Sequence, residues 1–457
     1  MTTLRRTLGL ADLVLIVIGT VIGSGIFRVP SSVLQQTGGS VGLALLVWFA
    51  AGILSLLGAL TFAEMGAAKP DAGGLYVFIR DALGPLPAFL YGWTMFLVIA
   101  SGSAATLAVA FKDYLGAFVT LPPIAGKLVA IGMIVVVMLI NVRGTRQGAN
   151  VQGVATILKV AAILVMSAFL LIFGRGSSGP TGMWPAQWTV SLLTGVGLAM
   201  ISVLWAYEGW QYVTFSAGET KDPQRIFPRG IVAGTALVVA IYVIANIAYV
   251  AAIGPEGVMG SQRVAADAVS ALFGAAAGKL IAAIILVSMF SAANGLTLTA
   301  PRLYYSMARD GVFFRKLAEV SPRFNTPAIA IVASSVWAMV LVALPGSTFD
   351  TLLTYVVFVG WIFFALAALA IFSYRRRAPE MHRPFRTPGY PVTPILFILA
   401  AAAIVINTVV TQPRNVIFAI GLMVLGFPAY YMWRSRLAKA PADALATPST
   451  KARETVS

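Results

Sequence analysis

Two glycines flank a serine within the first long apolar stretch, in the order Ile22-Gly23-Ser24-Gly25-Ile26. Each glycine weakens a helix by about 1 kcal/mol relative to alanine. Unwound backbone at membrane depth persists only where it lines a protected cavity. There the free N–H groups of the half-helix that begins near Ile26 would favour an anion such as a carboxylate. Close helix packing through small residues explains the same glycines, so the motif leaves both interpretations open.

A second interruption lies in the sixth apolar stretch, in the segment Trp205-Ala206-Tyr207-Glu208-Gly209-Trp210-Gln211. A charge near mid-membrane costs roughly 2.5–3.5 kcal/mol on insertion scales, and it usually faces a cavity or a partner. Interrupted segments at corresponding positions of two halves indicate a binding site between them. We therefore predict a site where the two interruptions meet. Glu208 faces either this pocket or a vestibule on the cytoplasmic side.

Lys159 lies within the fifth apolar stretch, about nine residues or 13 Å from its predicted start. At that depth it can act as a fixed cation or lose its proton on burial. It can also be a structural lysine bonded to helix-end carbonyls. We expect Gly19 and Ile22 to supply those carbonyls. In the eighth stretch Ser288, Ser291 and Asn294 form either a functional polar face or hydrogen bonds between helices.

The whole chain has the composition of a membrane protein. Of its 457 residues 59% are hydrophobic and 11% are charged, whereas soluble domains are about 25% charged. A spanning helix needs about 20 mostly apolar residues. Twelve such segments are predicted, at residues 10–33, 41–65, 86–111, 124–141, 151–173, 190–216, 229–253, 278–303, 327–344, 350–374, 393–410 and 415–434.

The distribution of positive charge predicts the orientation of these helices. The formal charge is +16, and lysine and arginine favour the N-terminal side of the membrane by roughly four to one. Both termini are therefore expected to be cytoplasmic, and the charge indicates topology rather than nucleic-acid binding. The absence of cysteine excludes disulfides, thiolate metal sites and cysteine catalysis. No catalytic residue, metal or cofactor is predicted.

Three motifs in order resemble one family of membrane proteins. They are Gly23-Ser24-Gly25-Ile26-Phe27, the loop Gly218-Glu219-Thr220-Lys221-Asp222-Pro223-Gln224-Arg225, and Arg383-Pro384-Phe385-Arg386-Thr387-Pro388-Gly389-Tyr390-Pro391. Together they resemble the amino acid–polyamine–organocation superfamily, and within it the bacterial relatives of the L-type amino-acid transporters. The similarity spans residues from about 8 to about 434.

This resemblance implies an all-α fold of twelve transmembrane helices. Ten of them form a five-plus-five inverted repeat with broken helices 1 and 6, and two more follow at the C-terminus. The expected divisions are a cytoplasmic N-terminal tail, the transport core, a basic loop, helices 11 and 12, and a disordered cytoplasmic tail, at residues 1–9, 10–374, 375–392, 393–434 and 435–457.

The resemblance also implies roles for individual residues. The substrate α-carboxylate would meet the backbone of Ser24 and Gly25, and the α-amino group would meet carbonyls near Thr20, Val21 and Trp205. The ring of Trp205 would gate the substrate. The candidate substrate-binding residues are those of the two interruptions: Thr20, Val21, Ile22, Gly23, Ser24, Gly25, Trp205, Ala206, Tyr207 and Glu208.

Lys159 matches the lysine that takes the place of a sodium ion in sodium-independent members of the superfamily. Ser288 matches the hydroxyl partner of that lysine on helix eight, and Gly19 completes the predicted coupling site. These matches imply a sodium-independent carrier of α-amino acids in the bacterial inner membrane, working by alternating access. Exchange and proton-coupled symport both remain open, as do the recognised side chain and the oligomeric state.

The chain departs from the superfamily pattern in two ways. Glu208 stands where many relatives have glycine or an apolar residue, which leaves the side-chain specificity open. Eukaryotic L-type members join an ancillary glycoprotein through a cysteine, and this chain has none, so no disulfide-linked subunit is expected. The alternatives are a sensor with a transporter fold, a carrier of polyamines or cationic amino acids, a channel, and a membrane-embedded enzyme.

Overall fold

The computed structural model describes residues 6–116, 118–176, 182–344 and 348–438. Within these ranges the chain is helical, and its one pairing of extended backbone is an isolated bridge between Leu8 and Thr220. The helices before the sixth predicted segment are α1 (Leu10–Val21), α2 (Gly25–Gln36), α3 (Val41–Ala68), α4 (Leu75–Leu83), α5 (Pro85–Thr94), α6 (Ala100–Leu115), α7 (Pro123–Val142) and α8 (Thr145–Phe173).

The remaining helices follow the same alternation of long apolar segments and shorter connecting helices. They are α9 (Val190–Ala206), α10 (Pro223–Gly260), α11 (Val264–Phe273), α12 (Ala275–Thr299), α13 (Pro301–Arg309), α14 (Ala328–Ala343), α15 (Phe349–Arg377), α16 (Val392–Thr411), α17 (Pro413–Val424) and α18 (Gly426–Ala438). A 3₁₀-helix, Trp210–Glu219, follows α9 after a short turn.

Among the described residues ten helical segments are long and apolar enough to cross a membrane, and the bent pair of α1 and α2 makes eleven. The predicted all-α membrane fold is therefore confirmed. The ninth predicted segment forms α14, which has 16 residues and a length of about 24 Å at 1.5 Å per residue. This is short of the roughly 30 Å hydrocarbon core, so the count of twelve spans stays a prediction.

Several boundaries differ from the prediction because hydropathy does not detect polar helix ends. Helix α8 begins at Thr145, six residues before the predicted start. The basic residues Arg375–Arg377 belong to α15 rather than to the loop. Helix α18 continues to Ala438, so the first residues of the predicted disordered tail are helical. Residues 439–457 lie outside the described ranges.

The segment before α1 is attached to the rest of the chain rather than forming a free tail. The backbone N–H groups of Thr7 and Leu8 donate to the Glu219 carbonyl at 2.8 and 3.0 Å, and Lys221 N–H donates to the Leu8 carbonyl at 2.8 Å. We call the side of the bundle that carries Leu8 and Glu219 the terminal face. Residues 1–5 of the predicted tail lie outside the described ranges.

The two predicted interruptions are present and lie side by side. Helix α1 ends at Val21 and α2 begins at Gly25, with a bend of 46° between them. In the sixth segment α9 ends at Ala206, and Gly209 has a φ of 134°. A Cβ on Gly209 would lie 2.7 Å from the Thr20 carbonyl carbon. Only glycine therefore allows both this backbone conformation and this close approach.

A π-helical turn, Met95–Ile99, joins α5 to α6. Such turns free backbone carbonyls, and they occur often near functional sites. Here the Tyr304 hydroxyl donates to the Met95 carbonyl at 3.1 Å, and the Trp337 indole donates to the Leu97 carbonyl at 2.9 Å. These bonds attach the π-helical turn to α13 and α14, directly before the helix that reaches the space between the two breaks.

Candidate functional site

A small buried cavity lies between the two helix breaks. Its lining comes from the first break, the sixth segment, α6 and α12: Thr20, Val21, Gly23, Ser24, Gly25, Ser103, Leu107, Trp205, Glu208, Tyr212, Ala292 and Leu296. The cavity volume is about 30 Å³, which is room for one or two water molecules. An α-amino acid therefore fits only if the surrounding side chains or helices move.

Side-chain hydroxyls join the two breaks to each other. The Thr20 hydroxyl donates to the Ile16 carbonyl at 2.7 Å and lies 3.1 Å from the Gly209 carbonyl. The Tyr242 hydroxyl on α10 lies 3.1 Å from the Val21 carbonyl and 2.9 Å from the Ala206 carbonyl. Carbonyls released by both breaks thus share donors, so the two interruptions form one structural unit.

The start of α2 forms one wall of the cavity. Ser24 precedes the helix and Gly25 is its first residue, and the first N–H groups of a helix have no intrahelical acceptor. The Ser24 hydroxyl is buried and has no hydrogen-bond partner. A Cβ on Gly25 would lie 2.6 Å from Ala206 Cα, so glycine is needed for the two breaks to meet. The wall presents hydrogen-bond donors to the cavity.

Glu208 forms the opposite, acidic wall. Its Oε1 accepts from Gln211 Nε2 at 2.5 Å and from the Tyr212 hydroxyl at 3.4 Å. Gln211 Oε1 in turn accepts from the Gly209 N–H at 3.1 Å. Among the described residues no lysine or arginine forms an ion pair with Glu208. Of the two positions left open by the sequence, the structure thus has Glu208 in the cavity wall.

Lys159 is fully buried on α8, fourteen residues or about 21 Å from the start of that helix. Its Nζ donates to the carbonyls of Gly19 at 2.7 Å and Ile22 at 2.5 Å. The Ser288 carbonyl is a more distant acceptor at 3.5 Å. The Lys159 side chain therefore connects α8 to the first break and to α12.

Ser288 contacts this group differently from the expectation. Its hydroxyl donates to the carbonyls of Ile22 at 3.0 Å and Gly23 at 3.2 Å, rather than bonding Lys159 Nζ itself. Lys159 also donates to the Ile22 carbonyl, so the Ser288 hydroxyl is a second donor to the unwound backbone. Lys159, Ser288 and Gly19 do come together, beside the cavity rather than in its wall.

Seven of the ten candidate substrate-binding residues line the cavity. Ile22 and Ala206 lie at the breaks but are not in the lining. The Tyr207 ring packs against Trp48 and Tyr242, at centroid distances of 6.0 and 5.0 Å. Five lining residues were not predicted, because apolar or hydroxyl side chains in an apolar segment look like ordinary packing: Ser103, Leu107, Tyr212, Ala292 and Leu296.

Two of these unpredicted residues add hydroxyl groups to the site. The Ser103 hydroxyl lines the cavity, on the helix that follows the π-helical turn. Tyr212 contacts Glu208 from the 3₁₀-helix. The cavity therefore combines hydroxyls, helix N–H groups and a carboxyl group. Within the described ranges no three metal-ligating side chains converge.

A buried polar cavity between two broken membrane helices is typical of a carrier protein. Comparison with known proteins shows the family of this chain. The family model described as "Amino acid permease" matches residues 8–427. The chain belongs to this family, in the amino acid–polyamine–organocation superfamily.

Relatives from distant organisms align over almost the whole chain. The serine/threonine exchanger SteT of Bacillus subtilis is 32% identical over 438 residues, which cover 95% of this chain and 98% of SteT. The b(0,+)-type amino acid transporter 1 of Mus musculus is 31% identical over 437 residues, covering 94% and 88%. The human cystine/glutamate transporter is 32% identical over 437 residues, covering 94% and 85%. This chain is therefore a multi-pass membrane transporter of amino acids, and it is not an enzyme.

Proposed function

We propose that this transporter carries α-amino acids without sodium, by alternating access, as an exchanger or as a proton-coupled symporter. The observation that carries the proposal is the position of Lys159 Nζ, 2.7 and 2.5 Å from the carbonyls of Gly19 and Ile22. A bound sodium ion would use such carbonyls as ligands, and a resident lysine already occupies them.

The polar groups of the cavity support the recognition of a zwitterion. The N–H groups at Ser24 and Gly25 are the proposed donors to an α-carboxylate, because the positive end of α2 favours an anion. Backbone carbonyls near Thr20, Val21 and Trp205 are the proposed acceptors for the α-amino group. Trp205 has 6% of its surface exposed and lies at the end of α9, which suits a gate over the substrate.

The small cavity volume supports a cycle with moving parts. A space of about 30 Å³ cannot hold an amino acid, so substrate entry requires the two breaks or the Trp205 ring to shift. Alternating access supplies the required movement, because it opens the same site to one side of the membrane at a time.

Glu208 favours cationic amino acids as the second candidate substrate class. Its carboxylate lines the cavity, and its hydrogen-bond partners, Gln211 and Tyr212, carry no positive charge. A lysine or arginine side chain would supply the missing cation. A neutral side chain would instead leave the carboxylate to its present hydrogen bonds.

The names of relatives and the charge pattern support the remaining parts of the proposal. One relative is named an exchanger, which favours exchange over net uptake. The bias of lysine and arginine favours cytoplasmic termini, and we place the protein in a bacterial inner membrane. Because the sequence contains no cysteine, the proposed transporter works without a disulfide-linked subunit. The sensor alternative predicts binding without transport.

A counterflow screen of the common amino acids in proteoliposomes tests this function. Preloaded unlabelled amino acid should drive accumulation of the same labelled amino acid. Decarboxylated analogues should not compete, because they lack the group that meets Ser24 and Gly25. Binding without counterflow would favour a sensor. Equal competition by the amines would contradict the carboxylate site.

A further inference from the structure

A cluster of buried amides lies between Lys159 and the terminal face. Gln152 on α8, Asn294 on α12 and Asn141 on α7 are each at most 1% exposed. Asn294 Nδ2 donates to Gln152 Oε1 at 3.1 Å, and Asn141 Nδ2 donates to Asn294 Oδ1 at 2.8 Å. The cluster joins α7, α8 and α12, and two of these helices, α8 and α12, pack against α1.

The hydrogen bonds of Asn294 determine the orientation of the Gln152 amide. Asn294 Nδ2 also donates to the Gly148 carbonyl at 3.0 Å, so its nitrogen must lie on the side of α8. The Gln152 atom that meets this nitrogen must then be the oxygen. Gln152 Nε2 therefore points away from the cluster, where it is buried and has no acceptor. A buried donor without an acceptor is costly.

The free Nε2 group lies against the first half of the broken helix. A Cβ added to Gly295 would lie 2.8 Å from Nε2, and one added to Gly19 would overlap it. The two glycines, on α12 and α1, thus leave just enough room for the amide. Gly19 is also the residue whose carbonyl binds Lys159.

The donors of α8 and the acceptors of α1 form two facing rows. Thr156 donates to the Leu15 carbonyl at 3.3 Å, and Lys159 donates to those of Gly19 and Ile22. Gln152 lies on the same face of α8, one turn nearer the terminal face than Thr156. Its N–H group is an additional donor in this row, next to α1 and without an acceptor in this conformation.

We propose that Gln152 is a positioning residue for the first half-helix, which offers its free N–H to a carbonyl of α1 when that helix tilts away from Lys159. The proposal rests on alternating access, the proposed mode of transport. The Gln152 N–H would then replace a hydrogen bond that α1 loses from Lys159, so that fewer carbonyls lack a donor during the movement. Gln152 then affects the rate of the conformational step and not the binding of substrate.

The test compares two variants in proteoliposomes, using as probe the amino acid that the wild-type chain transports best in counterflow. Gln152→Met keeps the length of the side chain and removes the donor. Its maximal rate per folded protein should fall about fivefold or more, roughly the weight of one hydrogen bond, with a KM within about twofold. Asn141→Leu is the matched control, because it breaks the same cluster and leaves the Gln152 donor, so its rate should stay within about twofold.

Three results would overturn the proposal: an unchanged rate for Gln152→Met, an equal loss in Asn141→Leu, or a raised KM at an unchanged maximal rate. If Gln152→Met does not insert, Gln152→Leu replaces it, since that variant also removes the donor, and the same fall is expected. Absence of counterflow by the wild-type chain would refute the proposed function as well. Normal wild-type counterflow with unaffected variants refutes the positioning role alone.

Discussion

Glu208 places a carboxylate in the wall of a cavity whose other polar groups are hydroxyls and backbone. Its partners, Gln211 and Tyr212, donate hydrogen bonds but carry no positive charge. A carboxylate buried in this way is expensive at membrane depth. Binding a cationic side chain would offset that cost, so we propose this residue as the main determinant of side-chain preference.

The Glu208→Gln variant tests this role. It keeps the size and the hydrogen bonding of the side chain and removes the charge. If the substrate is cationic, counterflow of lysine and arginine should fall about tenfold or more relative to neutral amino acids, because a hydrogen bond to a charged group is worth about 1.5–3 kcal/mol. An unchanged profile limited to neutral amino acids would contradict the contact.

For individual side chains, the sequence predicts charged residues of the site but not its hydroxyl and apolar residues. Glu208 and Lys159 are conspicuous because a charged residue in an apolar stretch is costly unless it faces a cavity or a partner. Ser103 and Tyr242 are not, since a serine or tyrosine in a membrane helix is common. Only the packing of the helices shows that Ser103 reaches the cavity and that Tyr242 bonds both breaks.

Among the helices, the arrangement at the terminal face depends on one buried ion pair. Arg302 Nε donates to Glu219 Oε1 at 2.6 Å, and both side chains are at most 2% exposed. Arg302 also donates to the Thr145 hydroxyl at 2.7 Å and to the Leu298 carbonyl. The pair therefore joins α13, the end of the 3₁₀-helix and the start of α8.

Removing one partner of this pair should destabilise the protein strongly. Glu219→Gln leaves a buried guanidinium without its counter-charge, a loss of about 3–5 kcal/mol, and should lower the melting temperature in detergent. The control is Arg146→Gln, which breaks the pair with Asp12. That arginine is 56% exposed, so at most about 1 kcal/mol is expected. Equal losses of melting temperature in the two variants would contradict the conclusion that the buried pair stabilises the protein more than the exposed pair.

The ion pairs of Asp81, on the connecting helix α4, predict how the stability of the protein depends on pH. Burial works to raise the pKa of Asp81, but hydrogen bonds from Lys69 and Arg80 outweigh it and lower the pKa below its ordinary value. A carboxyl with a lowered folded pKa adds stability above the pKa of the unfolded chain, and the stability is lost as the pH falls. Melting curves should therefore show that Asp81→Asn destabilises the protein at pH 7 and that the difference shrinks below about pH 4. A difference in melting temperature that stays constant with pH would contradict the lowered pKa of Asp81.

Most helices were predictable from the sequence because their apolar runs are long, but their ends were not. The start of α8 at Thr145 includes Arg146 and Gln147, which hydropathy excludes. Helices α4 and α11 were missed, since each has ten residues or fewer. The broken helices were predictable because glycine and charge interrupt both runs. That they meet through Gly209 and Thr20 required the structure.

In the whole molecule, Lys159 lies where the first break, α8 and α12 meet. Its contacts with Gly19 and Ile22 connect the broken helix to its surroundings, as a sodium ion would do. We propose that this lysine makes transport independent of sodium while leaving the movement of the broken helix intact.

Counterflow in proteoliposomes, with sodium replaced by choline on both sides, tests this role of Lys159. The wild-type chain should exchange amino acids at the same rate in both salts. Lys159→Ala should insert normally but lose most of its transport or change the ratio of apparent affinities on the two sides. Strict sodium dependence of the wild-type chain would contradict the account.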